Sequence, residues 1–405
     1  GSIVGRITDL VSADGVDGAT VATVPATVEV VTDADGGFVI PDVPAGVYRI
    51  QASKVGYTSA SREISVLAAG ENAANLALVP GKGYAGSDVC LLCHKEQYNL
   101  FRASGHPYKL RTAEAAKGAP IPLPDGYTWE DIAYVIGGYK WKARFVGKDG
   151  YIITSTAYGE EGKNQYNMMA GTWSDYHPGE KKPYNCGRCH TTGYFEEGNQ
   201  NGLPGIVGTW EMEGIQCERC HGPGREHIAR GGDKNYITID TSSALCGQCH
   251  VRGSPDAVPA KGGFIRHHEQ YNELLASPMA FMNCVDCHEP HTKAEFGAQK
   301  VACTSCHAAE GVEFEGSAMQ KVGVDCIDCH MPRASKSAVA FGPFEGDVRT
   351  HLWEINIDPN ASMFTEDGGQ ATGYLTVEFT CLQCHQDKDK DWASQNADGV
   401  HTKGK

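Results

Sequence analysis

The chain has 405 residues, 16 Cys, 16 His and a formal charge of −15, from 35 Lys+Arg against 50 Asp+Glu. The acidic balance argues against general nucleic-acid binding, and no apolar run reaches the ~18 residues of a transmembrane helix. Cysteine is too dilute for a small disulfide scaffold, yet abundant for a reduced cytosolic protein. No basic start followed by an apolar core is present, so any signal peptide is expected to have been removed.

Residues 1–80 contain neither Cys nor His. Strand-like runs occur at Ile3–Thr8, Val21–Val31, Gly37–Ile40, Val47–Ala52, Arg62–Leu67 and Asn75–Val79, rich in Val, Ile and Thr. Asp35-Gly36-Gly37 reads as a hairpin turn and Pro44-Ala45-Gly46 as another. Short strands at this spacing predict a β-sandwich. Pro80-Gly81-Lys82-Gly83 reads as a linker, which places a domain boundary between 1–80 and 81–405.

A helix is predicted from about Ser87 to Ser104, and it carries the first of a set of repeated pentapeptides. In chain order these begin Cys90-x-x-Cys93-His94, Cys186-x-x-Cys189-His190, Cys217-x-x-Cys220-His221 and Cys246-x-x-Cys249-His250. They continue Cys284-x-x-Cys287-His288, Cys303-x-x-Cys306-His307, Cys326-x-x-Cys329-His330 and Cys381-x-x-Cys384-His385. Between the first and second, Tyr134–Phe145 and Tyr151–Thr156 alternate around Lys148-Asp149-Gly150, which predicts a β-hairpin insert near 132–157. The gaps from each His to the next Cys are 91, 26, 24, 33, 14, 18 and 50 residues, so the later motifs must crowd together. The alternating charges of Asp387–Asp391 read as a solvated face.

C-x-x-C-H is the attachment signature of c-type haem. Two thiols form thioethers with the haem vinyl groups, and the adjacent His becomes the proximal iron ligand. Zinc sites do not demand His at that position, disulfides do not repeat one pentapeptide, and a redox CxxC is expected once. The motifs use all 16 Cys, so eight covalently bound haem c and no disulfides are expected. With about 37 residues per motif between Cys90 and His385, the haems must supply the core. The expected fold class is a multihaem cytochrome c with little regular secondary structure, made of short helices, loops and one β-hairpin insert, preceded by an all-β sandwich. Such haem is attached outside the cytoplasm, so an extracellular or cell-surface location is expected, with the periplasm as the alternative.

Eight further histidines are the candidate distal ligands: His106, His177, His227, His267, His268, His291, His351 and His401. One for each iron is what bis-histidine ligation requires, and a six-coordinate iron has no open position. His291 follows His288 by three residues, too close to cap the same iron from the far side. Adjacent His267 and His268 would point roughly 100° apart on a helix and could serve two haems. Met279 is a weaker axial candidate.

Two resemblances add to this reading. Gly5–Asp9, Asp33–Phe38, Val43–Tyr48 and Gly56-Tyr57 resemble the carboxypeptidase regulatory-like domain family. That implies a seven-stranded sandwich used for attachment or recognition, without catalysis. Tyr84–Cys93 with Ser104–His106, Cys186–Tyr194, Gly214–His227 and Asn283–His291 resemble the hydroxylamine-oxidoreductase-like and octahaem reductase superfamily. On that resemblance His106, His227 and His291 are distal ligands. Enzymatic relatives often carry Lys in place of one proximal His, and no CxxCK occurs here. The composition is also similar to extracellular cytochrome filaments. The function expected is therefore electron transfer without catalysis. Its partners are redox proteins, minerals or further copies in a filament joined through His106 or His401. A reductase of a small nitrogen or sulfur oxyanion and a soluble periplasmic carrier are the alternatives.

Overall fold

The computed structural model describes residues 1–402 except 11, 55, 56, 59, 81, 82, 253–256 and 293–297. Gly81 and Lys82 of the predicted linker thus lie outside the described residues. The chain forms two compact units, one of residues 1–92 and 217–239, the other of residues 93–216 and 240–405. The boundary expected at 80/81 falls inside the first unit.

The first unit contains the sandwich. Its strands are β1 (Ser2–Asp9), β2 (Thr20–Val24), β3 (Val30–Val31), β4 (Gly37–Ile40), β5 (Gly46–Ser53), β6 (Tyr57–Thr58), β7 (Ala60–Val66), β8 (Glu71–Ala73) and β9 (Leu76–Pro80). One sheet runs β4-β1-β9-β6 with β8 also on β1, and the other runs β3-β2-β5-β7. Nine strands replace the expected seven because three are only two or three residues long. The single strand expected over Val21–Val31 is broken at Pro25, which cannot donate to a ladder. The turn at Asp33–Gly37 forms, with Asp33 Oδ1 accepting from the Asp35 and Gly37 amides at 3.0 and 2.7 Å. It makes no hairpin, because β3 pairs with β2 while β4 pairs with β1 in the other sheet. Alternation sets the core: Tyr48, Ile50 and Ala52 of β5 point inward to meet Ile3, Ile7, Ile40 and Leu78. Gly5 is required where β1 passes the 74–75 backbone, since a Cβ there would lie 2.2 Å from the Ala74 carbonyl oxygen.

The second unit carries a seven-stranded sheet larger than the expected insert. It comprises β10 (Leu110–Thr112), β11 (Ile132–Gly137), β12 (Lys142–Gly147), β13 (Tyr151–Ile152), β14 (Gln165–Asn167), β15 (Thr172–Ser174) and β16 (Lys182–Pro183). The run Tyr134–Phe145, read as one strand, is the antiparallel pair β11–β12, because Gly137 and Gly138 take positive φ and reverse the chain. Lys148-Asp149-Gly150 then turns β12 into β13. A bulge between Ile132 and Tyr134 changes the face of β11. Ile132 therefore packs with Val135, Ala143 and Phe145, while Tyr134 and Ile136 pack on the other face with Val146, Tyr184 and Trp210.

Elsewhere regular structure is sparse, and no described helix exceeds nine residues. The single helix expected over Ser87–Ser104 is two, Ser87–Cys90 and Lys95–Ala103, because His94 at φ −115°, ψ 51° leaves helical geometry. From 278 to 331, a stretch with three motifs, only Ala298 and Ser317 are buried among the described residues. Side chains alone give this stretch no core.

Candidate haem-binding sites

Half of the eight motifs sit on a single turn of α-helix: Gly187–His190, Cys217–His221, Cys284–Cys287 and Cys326–His330. A turn places both thiols and the His on one edge, where one flat ligand can meet them. None of the 16 Cys is in a disulfide.

The motifs interlock in pairs. In the first unit the Ser87 hydroxyl accepts from the Cys217 amide at 3.2 Å, and Cys90 and Cys217 share a hydrogen bond that lowers the Cys217 thiol to about 6. In the second, the Ser243 hydroxyl accepts from the Cys284 amide at 2.9 Å, and Cys246 lowers the Cys284 thiol to about 6 in the same way. Both serines stand three residues before the first Cys of their own motif.

Within the second unit the pairs join into a run. The Cys189 thiol approaches the Gln248 carbonyl at 3.9 Å, linking the second motif to the fourth. The fourth meets the fifth through Ser243. The Lys300 amide donates to the Cys287 carbonyl at 2.9 Å and the Gln299 side chain approaches Cys303 Sγ at 3.8 Å, linking the fifth to the sixth. Burial and then nearby Cys303 push the Cys326 thiol up, so the sixth and seventh are electrostatic neighbours. The Gln383 amide donates to the Asp328 carbonyl at 3.0 Å, linking the seventh to the eighth.

Two imidazoles on opposite faces of one metal, with bonds of about 2 Å, place their ring centroids roughly 6 Å apart. Three pairs of histidines stand at that separation: His106 and His250 at 6.4 Å, His288 and His351 at 6.1 Å, and His330 and His401 at 6.1 Å. His268 also lies 5.9 Å from His250. Gln270, two residues beyond His268, takes the His250 Nδ1 at 3.1 Å, which leaves Nε2 for a metal. Burial, and then the ring of the partner, lower His106 to about 3 and His288 to about 4. Both rings are neutral and ligand-competent at ordinary pH.

Other contacts fix the tautomer. Nδ1 of His221 donates to the Thr238 carbonyl at 2.9 Å, and that of His227 to the Asp233 carbonyl at 3.0 Å. His330 Nδ1 meets the Trp353 carbonyl at 3.0 Å, and His291 Nδ1 meets Glu289 Oε1 at 2.6 Å. Each bond commits Nδ1 and leaves Nε2 for a metal, the usual arrangement behind a ligating histidine. His106, His190 and His250 lie deep in the protein yet keep accessible surface. Both facts hold if their rings line internal voids. These features, with the missing side-chain core of 278–331, fit haem.

Two candidates behave differently. His177, at φ +48°, turns Nδ1 to Glu180 at 2.8 Å, and its ring meets Tyr176 edge-on at 4.6 Å. His267 accepts at Nε2 from Arg252 at 3.1 Å. Met279 is half-buried in a turn, where its amide donates to the Ser277 hydroxyl at 3.1 Å. His106 and His401, the residues expected to join copies, each have a proximal histidine ring of their own chain within 6.4 Å.

Several supporting residues escaped the sequence reading. Buried Glu218, inside the third motif, accepts from the Ala85, Gly86 and Gly224 amides at 2.8, 2.8 and 2.7 Å. Buried Glu273 accepts from the His351 amide at 2.5 Å and the Ser335 hydroxyl at 3.1 Å. Burial pushes neighbouring Glu269 up to about 7. Glu218 had a visible signal, a carboxylate between the two Cys of a motif, whereas the others depend on distant partners.

Comparison with known proteins agrees with this chemistry. Residues 2–79 match the carboxypeptidase regulatory-like domain, 154–222 match cytochrome c554 and c-prime, and 298–404 match outer membrane cytochrome MtrC/MtrF-like domains II/IV. The chain is a multihaem c-type cytochrome with a carboxypeptidase regulatory-like domain. It is 28% identical over 139 residues to multiheme cytochrome MtrA of Shewanella baltica, covering 31% of this chain and 37% of that protein. The chain thus spans little more than a third of the curated relative it matches. Among solved structures it is similar to the outer cell wall cytochrome OcwA (TM-score 0.55, 22% identity, 78% of this chain and 86% of that one). The octaheme sulfite reductase MccA of Wolinella succinogenes is also similar (TM-score 0.56, 18% identity, 74% of this chain and 65% of that one). At these identities both likenesses bear on the fold alone.

Proposed function

We propose that this cytochrome is an extracellular or periplasmic electron conduit carrying eight haems, with no reaction of its own. Each motif's two Cys would hold a haem by thioethers, and His94, His190, His221, His250, His288, His307, His330 and His385 would be the proximal ligands. His106, His351 and His401 would complete the sites of His250, His288 and His330. His177, His227, His267, His268 and His291 remain the candidates for the others. Bound haem would supply one-electron exchange at iron. The chain's own part is spacing and tuning: interlocked motifs set the separation, and Nδ1 hydrogen bonds raise ligand basicity.

The observation that supports this reading is the run of neighbouring motifs in the second unit, with the second bonded to the fourth, the fourth to the fifth and the seventh to the eighth, and the fifth joined to the sixth through Gln299 and Lys300. An enzyme needs one prepared iron, whereas a conduit needs neighbours throughout. The test is carbon monoxide added to the reduced holoprotein under native conditions. The haem spectrum is expected to change little. Rapid binding by more than half of the haem overturns the proposal, and binding by about one-eighth marks a single open iron and favours an oxyanion reductase. Self-association into a filament is the finer form of the proposal. It would rest on contacts other than an exchanged His106 or His401, and negative-stain images holding only discrete particles at high concentration would remove it.

A further inference from the structure

Two of the eight motifs carry a serine three residues before their first Cys: Ser87 before Cys90 and Ser243 before Cys246. The others have Pro183, Gly214, Phe281, Lys300, Gly323 and Glu378 there. Both serines open a turn of helix, Ser87–Cys90 and Ser243–Gly247, and both are buried. Each turns its hydroxyl to another motif. Ser87 accepts from the Cys217 amide at 3.2 Å, and Ser243 from the Cys284 amide at 2.9 Å. Those amides are the first of the turns Cys217–His221 and Cys284–Cys287, donors that a helix cannot satisfy within itself. A serine hydroxyl is a preferred acceptor at a helix start, and here it comes from a distant segment instead of the preceding residue.

The bonds run both ways. In the first unit Glu218, one residue after Cys217, accepts from the Ala85 and Gly86 amides just before Ser87, both at 2.8 Å. In the second, Asn283, one residue before Cys284, accepts from the Ser243 amide at 3.1 Å. One arrangement thus occurs twice, in two separate units. A serine caps the partner's turn, and a polar residue beside the partner's first Cys holds the start of the serine's own turn. The contact reaches the attachment atoms. Cys284 Sγ lies 3.4 Å from the Ser243 hydroxyl, and the first sulfurs of each pair, Cys90 with Cys217 and Cys246 with Cys284, share a hydrogen bond. Thioethers form at those sulfurs, so the two haems of a pair would be attached at adjoining points.

We propose that the chain contains two copies of one two-haem module, the first motif with the third and the fourth with the fifth, and that Ser87 and Ser243 are its positioning residues. Each hydroxyl fixes the separation of two attachment turns, and with it the electronic coupling of the haems they carry. This deepens the conduit reading and rests on haem being attached at both motifs of each pair. A side chain that touches no iron then sets how strongly two neighbouring irons communicate.

The test is electron paramagnetic resonance and Soret circular dichroism of the oxidised holoprotein and of S87A, S243A, S87T, S243T and N283A, with haem per chain measured for each. Wild type should show the signals of coupled haems. S87A and S243A should each lose the coupling of one pair, and the double variant should lose both additively, because the pairs lie in separate units. The threonine variants keep the hydroxyl and should retain the coupling. Asn283 is exposed, so N283A keeps the test open if the buried variants do not attach haem, and it should weaken the second pair alone. A merely structural serine would lower the melting temperature of the alanine variants and leave both spectra as in wild type. That result overturns the proposal, as does coupling absent from wild type or lost equally in the threonine and alanine variants. Carbon monoxide added to the same samples separates this from the conduit reading: rapid binding by wild type defeats conduction, while the coupling pattern stands or falls by itself.

Discussion

Glu218 offers the sharpest test of how the first unit holds its motifs. It is 3% exposed and accepts from three amides, two of them (Ala85 and Gly86) just before the Ser87–Cys90 turn and the third at Gly224. E218A strands three donors and removes three bonds to a charged acceptor, each worth about 1.5–3 kcal/mol. After the desolvation no longer spent on the carboxylate, the net loss should be about 3–5 kcal/mol. E218Q keeps Oε1, which serves Ala85 and Gly224, and loses the Gly86 acceptor and the charge, so about half that loss is expected. In a unit of this size each kcal/mol moves the midpoint by roughly 4 °C. E218A should therefore melt about 12–20 °C below wild type, with E218Q between them. Calorimetry of the holoprotein, with limited proteolysis to place the first cleavage in 83–92 or 217–239, reads both. An E218A midpoint within about 1 °C of wild type would refute the claim that this carboxylate ties the two segments together.

The remaining predictions concern ligation, core and turn. H351A and H401A should each open one iron, adding about one-eighth of the haem to the carbon-monoxide-binding fraction, and the double variant should add about twice that. Unchanged binding in both would remove the assigned axial pairs. F145A should cost about 3–5 kcal/mol by denaturant titration, because Phe145 is fully buried beneath β12. G150A should destabilise by more than about 1 kcal/mol, since Gly150 has φ +84° and a Cβ there would lie 2.9 Å from the Ile206 amide.

What the sequence displayed and what it hid divide along range. The motifs are local, so all eight were legible, as were the strand alternation of β5 and the Gly150 turn. The strand break at Pro25 was visible but outweighed by the Val-rich run around it. The crossing of the Asp33–Gly37 turn between sheets was not visible, because a turn's chemistry says nothing about which neighbour each strand takes. The equality of eight proximal and eight spare histidines suggested one distal ligand per iron. Pairing depends on three-dimensional proximity, which the sequence does not display, and the hydrogen bonds of His177 to Glu180 and of His267 to Arg252 were equally hidden.

Lys142 and Arg144 show why charge periodicity in a strand merits the same reading as apolar periodicity. An alternation of cations with Ala143 and Phe145 looks like an ordinary half-solvated strand. Here Lys142 and Arg144 are half-buried on the face whose Val146 packs with Tyr184 and Cys186 of the second motif. Where the ligand is the core, the protein needs only short turns to hold it, which explains the near-absence of buried residues over 278–331. The larger sheets are those of the sandwich and β10–β16, and a further packed cluster forms around Phe264, Ile265, Leu352 and Phe379.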